Sequence, residues 1–307
     1  MPELPEVQTT VNGLKTKVLN RTFVDVWSDW KKLIKKPDNF QQFEKEIKNK
    51  QIIKIYRRAK NIIINLSDNY SLLIHQKMTG HLLVGNWQLE GNQPAQTEKW
   101  IPVDKKSALN DSYNKFLHVI FFLDDGQMLA LSDVRKFAKI ELWRTDELLN
   151  SKGFKNLGPE PLEKSFSFEK FKQALLWKNS PLPKLRRGAI KQILMIPEVI
   201  AGIGNIYASE ALWHAKIHPA KNTQNLKNNE LKALYKSIQK VLTLGIELGG
   251  DSFSDYRNIN GEKGKFNNQR KVYKRENQIC LRCKKETICR IVIATRGTFY
   301  CPSCQKL

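Results

Sequence analysis

The chain has 307 residues, and its 52 lysines and arginines against 30 aspartates and glutamates give a formal charge of +22. With 41% hydrophobic and 27% charged residues, it can form sizeable cores, which excludes a disordered basic tail, and its longest apolar run (116–123) is too short to span a membrane. No apolar stretch follows Met1, so we expect a cytosolic protein, and the excess positive charge favours a polyanionic partner, with nucleic acid as the first candidate.

The first half of the chain predicts one helix followed by many short strands. Apolar residues recur at helical spacing over 5–19, which predicts an amphipathic helix. The period then changes to two, and the predicted strands are 22–27, 51–56, 61–66, 71–75, 116–123 and 127–131. The polar residues 86–114 are predicted to form a long surface loop. This order of elements predicts an antiparallel β-sandwich or barrel as the first domain, residues 1–150.

The second half predicts helices. A segment containing Gly153, Gly158, Pro159 and Pro161 is predicted to be a linker, residues 151–165. Helical periodicity follows over 168–177, 188–195, 205–215 and 230–248. We therefore expect a helical domain over 166–270 and a separate cysteine-containing module over 271–307, which makes the chain an α+β multidomain protein.

All five cysteines lie in the last 28 residues and predict a metal site. Two Cys-x2-Cys pairs, Cys280/Cys283 and Cys301/Cys304, place four thiolates within reach of one tetrahedral zinc ion. Two disulfides or free thiols are the alternatives, and a reducing cytosol disfavours the disulfides. Four protein ligands leave no open position, so we expect one structural Zn²⁺ per chain, with Cys289 outside the site.

The hexapeptide Met1-Pro-Glu-Leu-Pro-Glu6 contains more than a helix start requires. Pro5 suits a first helical turn and Glu6 the positive end of the helix dipole, which leaves Pro2 and Glu3 unexplained. If Met1 is removed, Pro2 presents a secondary amine that can condense with a sugar C1′ to an iminium ion. Glu3 beside it could then transfer protons.

Seven motifs occur in the order found in bacterial formamidopyrimidine-DNA glycosylases, and the chain resembles this family from residue 2 to residue 306. The motifs are Met1-Pro-Glu-Leu-Pro-Glu-Val7, Arg57-Arg-Ala-Lys60, His75-Gln-Lys-Met-Thr-Gly80, Asp133-Val-Arg-Lys-Phe137, Leu157-Gly-Pro-Glu-Pro-Leu162, Gly202-Ile-Gly-Asn-Ile-Tyr-Ala-Ser-Glu210 and the four-cysteine module. The opening residues are less similar to endonuclease VIII, which typically begins Pro-Glu-Gly-Pro-Glu.

The resemblance implies an N-terminal β-sandwich with flanking helices, a helical helix–two-turns–helix domain and a zinc-finger hairpin. It also implies a bifunctional base-excision repair enzyme, monomeric and located in the bacterial cytoplasm at the nucleoid. Such an enzyme removes 8-oxoguanine and formamidopyrimidines from double-stranded DNA and cleaves abasic sites by β,δ-elimination. Pro2 would be the Schiff-base nucleophile, Glu3 the proton donor and acceptor, Glu6 a support for the helix and the amine, and Lys60 a phosphate ligand and acid.

The resemblance also implies a set of DNA contacts. Three side chains would fill the gap left by an extruded nucleotide, and three others would contact phosphates directly or through a helix N-terminus. The first set is Met78, Arg135 and Phe137, and the second is Lys191, Asn205 and Arg296. The family's usual Asp-Pro-Arg-Arg-Phe-Gly is Asp133-Val-Arg-Lys-Phe-Ala138 here, so the residues flanking Arg135 and Phe137 differ from the family pattern. The loop 252–266, expected to cover the extruded base, also diverges.

Two alternatives remain open from the sequence. One is a zinc-containing protein that binds damaged DNA without catalysis, which retention of Met1 would favour because it converts the Pro2 amine to an amide. The other is the same chemistry directed to oxidised pyrimidines.

Overall fold

A computed structural model describes residues 1–90, 99–176, 184–252 and 255–307. The chain divides into two compact units. The first comprises Met1–Lys155 and Leu248–Lys265, and the second comprises Asn156–Glu247 and Phe266–Leu307. The predicted domain boundaries assign residues 248–265 to the helical domain instead. Because compact units defined by contacts need not coincide with domains, those boundaries stay a prediction.

Nine of the strands that the structure describes in the first unit form two sheets that face each other across one core. Their bounds are β1 Phe23–Trp27, β2 Ile34–Lys36, β3 Ile52–Arg58, β4 Asn61–Leu66, β5 Tyr70–His75, β6 His81–Gly85, β7 Trp87–Leu89, β8 Trp100–Pro102, β9 Leu117–Leu123, β10 Met128–Ser132 and β11 Lys139–Arg144. One sheet has the order β1-β9-β10-β6 and the other β2-β11-β5-β4-β3, while β7 and β8 pair with each other. Every pairing in the two larger sheets is antiparallel except that of β11 with β2. The predicted β-sandwich is confirmed.

Helices α1 Leu4–Lys17, α2 Phe40–Ile47, α3 Thr145–Asn150 and α4 Lys152–Lys155 flank these sheets. Val7, Val11 and Leu14 of α1 are fully buried in the same core as Ile64 and Phe121, which come from opposite sheets. At about 1.5–3 kcal/mol for each large apolar side chain, this burial holds α1 on the sandwich. The N-terminal residues that precede α1 are therefore attached to a rigid element.

The prediction of a surface loop over 86–114 is wrong in part. The β7–β8 hairpin lies within it, and residues 91–98 between these strands lie outside the described residues. Two 3₁₀ turns follow, Ala108–Asn110 and Ser112–Lys115. Alternating polarity is not visible in strands of three residues, so the sequence pattern could not show this hairpin.

The second unit contains helices α5 Phe168–Leu175, α6 Ile190–Leu194, α7 Asn205–His214 and α8 Asn228–Glu247, followed by the hairpin β12 Cys289–Ile293 and β13 Arg296–Tyr300. These are the predicted helices with boundaries shifted by a few residues, except that the predicted end at Trp177 lies outside the described residues. Gly158 is required by close packing, because a Cβ there would lie 2.6 Å from the backbone of Val199. Across the described ranges, no helix has the length and apolar character needed to cross a membrane.

Candidate active site and metal centre

The N-terminal turn of α1 is buried and closed by two carboxylates. Pro2 is buried, and Glu3 and Glu6 are only 3% and 2% exposed. The backbone N–H of Glu3 donates to Glu6 Oε2 at 2.8 Å, while the Glu3 carboxylate accepts from the N–H of Glu6. This reciprocal capping satisfies donors that a helix start leaves unpaired. It also fixes Glu3 immediately after Pro2.

Glu6 is held from the segment that follows α8 as well. Its Oε1 accepts the backbone N–H of Asp251 at 2.7 Å. Gly250 has φ +84°, and a Cβ there would lie 2.8 Å from Glu6 Cγ, so only glycine fits this approach. Both carboxylate oxygens of Glu6 therefore accept backbone hydrogen bonds, which suits a supporting position rather than proton transfer.

The environment of the chain's terminal amine favours its uncharged form. Burial lowers the pKa of the Met1 ammonium, against the opposing effect of the Glu3 and Glu6 carboxylates, and the Lys60 charge lowers it further. An amine must be unprotonated to act as a nucleophile. A terminal amine at this position therefore sits in a favourable place for covalent chemistry, beside a carboxylate that could move protons.

Lys60 lies in the tight turn between β3 and β4. Ala59 before it has φ +53°, and Arg57 holds that strained turn by donating from Nη1 to the carbonyl of Ala59 at 2.9 Å. Arg57 Nε also donates to Gln8 Oε1 of α1 at 3.0 Å. The turn carrying Lys60 is thus fastened to the helix that carries Pro2 and Glu3.

His75 adds a neutral hydrogen-bond donor near these groups. Its Nδ1 accepts the backbone N–H of Lys77 at 3.0 Å, which places the proton of the neutral ring on Nε2. Burial, with the charges of Lys77, Lys139 and Lys60, lowers the pKa of His75 to about 3. The positive charges of these three lysines make the surroundings of His75 suited to binding an anion. The sequence reasoning quoted His75 only as part of a motif and gave it no role.

The low pKa of His75 predicts a loss of stability in acid. The unfolded imidazole binds a proton below about pH 6.5, whereas the folded ring stays neutral to about pH 3. In that window the unfolded state holds the extra proton, so the free energy of unfolding falls as pH falls, by up to ~1.4 kcal/mol per pH unit. In urea titrations at pH 6.5 and 5.0, His75→Gln should lose less stability than the wild type, by up to about 2 kcal/mol. Equal losses in both proteins would contradict the assignment.

Met78 and Phe137 expose apolar surface beside the N-terminus. They are 39% and 50% exposed, and with Met1 they line one cavity of about 420 Å³. The Arg135 guanidinium lies over the Phe137 ring, 4.4 Å from its centroid. Lys35, Lys77, Lys136 and Ala138 complete the lining. The structure thus brings Met78 and Phe137 together next to the N-terminal turn.

Asp133 organises the loop that carries Arg135 and Phe137. It is fully buried, and its Oδ2 accepts the backbone N–H groups of Phe137 at 2.7 Å and Ala138 at 2.8 Å. Its Oδ1 accepts the hydroxyl of Thr79, the neighbour of Met78. One carboxylate therefore links the two loops, and the Val134, Lys136 and Ala138 changes leave this arrangement intact.

Lys191 and Asn205 of the second unit both bind the β12–β13 hairpin. Lys191 is 1% exposed, and its Nζ donates to Thr298 Oγ1 at 2.7 Å, while Asn205 Nδ2 donates to the carbonyl of Gly297 at 3.1 Å. Arg296 is exposed at the start of β13. A buried ammonium already engaged by the hairpin cannot reach a phosphate without moving, so in this conformation Lys191 supports the hairpin that presents Arg296. Its contact with phosphate stays a prediction.

The four predicted cysteines form one cluster in which all sulfur atoms lie within 4.8 Å of one another. Cys280 and Cys304 sulfurs are 3.9 Å apart, and Cys283 and Cys301 sulfurs 3.7 Å. Four thiolates at ~2.3 Å from a tetrahedral ion would be separated by about 3.8 Å, so the cluster fits a zinc ion. Cys289 lies outside it, with its sulfur toward the carbonyl of Thr287.

Two family models cover most of the chain. The formamidopyrimidine-DNA glycosylase N-terminal domain matches residues 1–140, and the H2TH domain of the same enzymes matches residues 157–257. The formamidopyrimidine-DNA glycosylase of Desulforamulus reducens is 37% identical over 314 residues, covering 100% of this chain and 99% of that protein. The Rickettsia felis enzyme is 37% identical over 310 residues, covering 99% and 98%.

Solved structures agree with this match. The Lactococcus lactis enzyme in complex with DNA containing an abasic site has a TM-score of 0.80 at 31% identity, covering 99% of this chain and 100% of that one. The same enzyme with DNA containing Fapy-dG has a TM-score of 0.79, again at 31% identity, covering 99% and 100%. The chain therefore belongs to the formamidopyrimidine-DNA glycosylase family of base-excision repair enzymes, in which glycosylase activity is typically joined to lyase activity.

Proposed function

We propose that this enzyme excises 8-oxoguanine and formamidopyrimidines from double-stranded DNA and then cleaves the abasic strand by β,δ-elimination. The observation that carries the proposal is the buried N-terminal turn, in which Pro2 directly precedes the buried Glu3, with Lys60 near enough for its charge to lower the pKa of the Met1 ammonium. Family membership supplies the reaction class, and this geometry supplies the groups that the reaction needs.

Pro2 is the nucleophile in this proposal. Once Met1 is removed, its secondary amine attacks C1′ of the damaged nucleotide, and the N-glycosidic bond breaks with its electron pair going to the base. The amine loses one proton in this step, and the departing base takes up one proton. Glu3 protonates the sugar ring oxygen as the ring opens to the iminium ion, which acts as an electron sink. The Glu3 carboxylate then accepts a C2′ proton as the 3′ phosphate leaves, and loss of a C4′ proton expels the 5′ phosphate in a second elimination. Hydrolysis of the remaining iminium ion frees the Pro2 amine.

Lys60 and His75 are suited to hold the phosphates beside this nucleotide. Lys60 offers an ammonium on a turn that Arg57 stabilises by a hydrogen bond to the Ala59 carbonyl. The His75 imidazole is neutral at physiological pH and offers its Nε2–H as a donor. Phosphate contacts fix register without reading sequence. These two donors therefore position C1′ at the Pro2 amine.

Met78 and Phe137 are suited to fill the gap that the extruded nucleotide leaves. Apolar side chains inserted into a base stack offset a few kcal/mol of unstacking. Arg135, stacked on Phe137, would then face the base opposite the lesion and donate to it. The loop 252–266 would cover the extruded base, but residues 253–254 lie outside the described residues, so the lesion contacts rest on the family alone.

The second unit supplies the remaining DNA contacts. Arg296 would contact a phosphate from the hairpin that Lys191 and Asn205 hold, and the start of α7 would offer backbone N–H groups to another. The four-cysteine cluster would hold a structural Zn²⁺ that stabilises this hairpin. We propose a monomer that acts in the bacterial cytoplasm at the nucleoid.

A non-catalytic damage-binding protein is not favoured. Binding phosphates requires neither a proline that Met1 removal would make N-terminal nor a carboxylate buried beside it, whereas Pro2 and Glu3 are present here together with Lys60. An oxidised-pyrimidine preference is also not favoured by the family match.

Substrate choice is tested by comparing excision from 8-oxoguanine·C and thymine-glycol·A duplexes of the same sequence. We expect 8-oxoguanine to be released at least tenfold faster, with both elimination products, because the family match favours purines. Faster release of thymine glycol would overturn the substrate assignment. No product from either duplex or from an abasic duplex would overturn the proposed function itself.

A further inference from the structure

Arg257 has the largest side chain among the fully buried residues that the structure describes, and it lies outside every motif of the family resemblance. Its exposure is 1%, and its Nη2 donates to the two carboxylate oxygens of Asp111 at 2.9 and 3.1 Å. Nη1 donates to the carbonyl of Tyr256 at 2.9 Å, and the guanidinium lies 4.8 Å from the ring centroid of Tyr113. A buried charge is costly unless it is paired and hydrogen-bonded, as the two Nη atoms are here.

Asp111 belongs to a well-fixed loop. Its Oδ1 accepts the N–H of Tyr113 at 3.0 Å, which closes the turn around it. Asn114 in the same loop donates to the carbonyl of Gly261 at 3.1 Å and contacts His81 Nε2 at 2.9 Å. The loop is therefore anchored to strand β6 on one side and to residues 256–261 on the other.

Tyr256 connects this anchor to the catalytic turn. Its hydroxyl donates to the main-chain carbonyl of Glu6 at 3.0 Å, and its side chain is 6% exposed. Glu6 in turn accepts the N–H of Glu3 at 2.8 Å, next to Pro2. A continuous set of hydrogen bonds thus runs from Asp111 through Arg257 and Tyr256 to the first turn of α1.

We propose that Asp111 and Arg257 are positioning residues that hold Tyr256 against Glu6 and so fix the Pro2 amine in its reactive orientation. The proposal rests on the proposed Schiff-base function. An apolar pair of similar volume could provide comparable stability. It could not direct the Tyr256 carbonyl as the guanidinium does, because only a donor fixes that group's orientation. Displacements of about 1 Å at a reacting centre can reduce rates by ~10²-fold.

The experiment uses the full-length enzyme with Asp111→Asn and, separately, Tyr256→Phe. Asp111→Asn removes the charge that pairs with Arg257, and Tyr256→Phe removes the hydroxyl that donates to the Glu6 carbonyl without leaving a buried charge unpaired. Three quantities are measured: the single-turnover rate of cleavage of a preformed abasic duplex, the Kd for a duplex with a tetrahydrofuran site, and the active fraction from the borohydride-trapping endpoint. We expect both variants to lower the rate about tenfold while Kd and active fraction stay within twofold of wild type.

Asp125→Asn is the matched control. Asp125 also accepts a backbone N–H two residues ahead, from Gln127 at 3.0 Å, and also pairs with an arginine, Arg21 at 2.9 Å, whose side chain is 46% exposed. It should behave as wild type in all three measurements.

Rates within twofold of wild type would overturn the inference. So would a fall in rate accompanied by an equal rise in Kd or an equal fall in active fraction. If Asp111→Asn does not fold, Tyr256→Phe decides. An active wild type with an unaffected Tyr256→Phe refutes this inference alone, whereas a wild type that forms no adduct refutes the proposed function.

Discussion

A chain that retains Met1 is expected to bind abasic duplex DNA but to cleave it at no measurable rate. Retention converts the nitrogen of Pro2 into a tertiary amide, which has no basic lone pair with which to attack C1′. Met1 is 48% exposed and lines an open cavity, so its presence should alter the Kd for a tetrahydrofuran duplex by only a few fold.

The comparison needs two preparations that differ by one residue. Intact mass identifies the fraction that retains Met1, and aminopeptidase treatment or expression as a cleavable fusion yields the chain that begins at Pro2. Cleavage should increase in proportion to the processed fraction. Equal activity of the two preparations would show that Pro2 is not the nucleophile.

Replacing Cys280 by serine is expected to remove the metal and to weaken DNA binding roughly tenfold or more. Loss of one charge-assisted phosphate contact is worth about 1.5–3 kcal/mol, and Arg296 sits on the hairpin that the cluster closes. The cluster's buried neighbours include Trp213 of α7 and Phe299 of β13, so loosening it should disturb both elements. Cleavage of abasic DNA at saturating enzyme should change much less, because the amine chemistry lies in the other unit.

Cys289→Ser provides the control, because Cys289 lies outside the cluster on the same hairpin. Elemental analysis should find about one zinc per chain in wild type and Cys289→Ser, and none in Cys280→Ser. Unchanged metal content or unchanged DNA affinity in Cys280→Ser would contradict the structural role of the ion.

The sequence predicted the sandwich because most of its strands are apolar runs of at least five residues, long enough to be recognised even where the buried positions are continuous rather than alternating, as in β4, β5 and β9. Strand β4 agrees with the prediction at both ends, and β9 differs by one residue. Elements near residues 31–47, including β2 and α2, were not predicted. The strand there is three residues long, and only the Asn39 cap, which accepts from the N–H of Gln42 at 2.9 Å, marks the start of the helix. Such short elements depend on tertiary packing for stability.

The parts of the site built from a short run or a regular spacing of residues could be predicted from the sequence. The contacts between segments that are distant in the sequence could not. The cysteine spacing predicted the cluster that the structure forms, and the hexapeptide predicted the helix start, whereas the burial of that turn is seen only in the structure. Neither the Asp133 hydrogen bonds between the two loops nor the packing of Gly250 against Glu6 could be predicted. Both depend on residues more than fifty positions apart, and periodicity carries no information at that range.

The central claim is that the amine of Pro2 forms the covalent intermediate. It is tested most directly by reducing the enzyme with borohydride on an 8-oxoguanine duplex, digesting the adduct and locating the DNA-bound residue by mass spectrometry. We expect the modified peptide to begin with Pro2 and to carry the sugar on its amine. An adduct on a lysine such as Lys60, or no adduct from enzyme with a free Pro2, would contradict it.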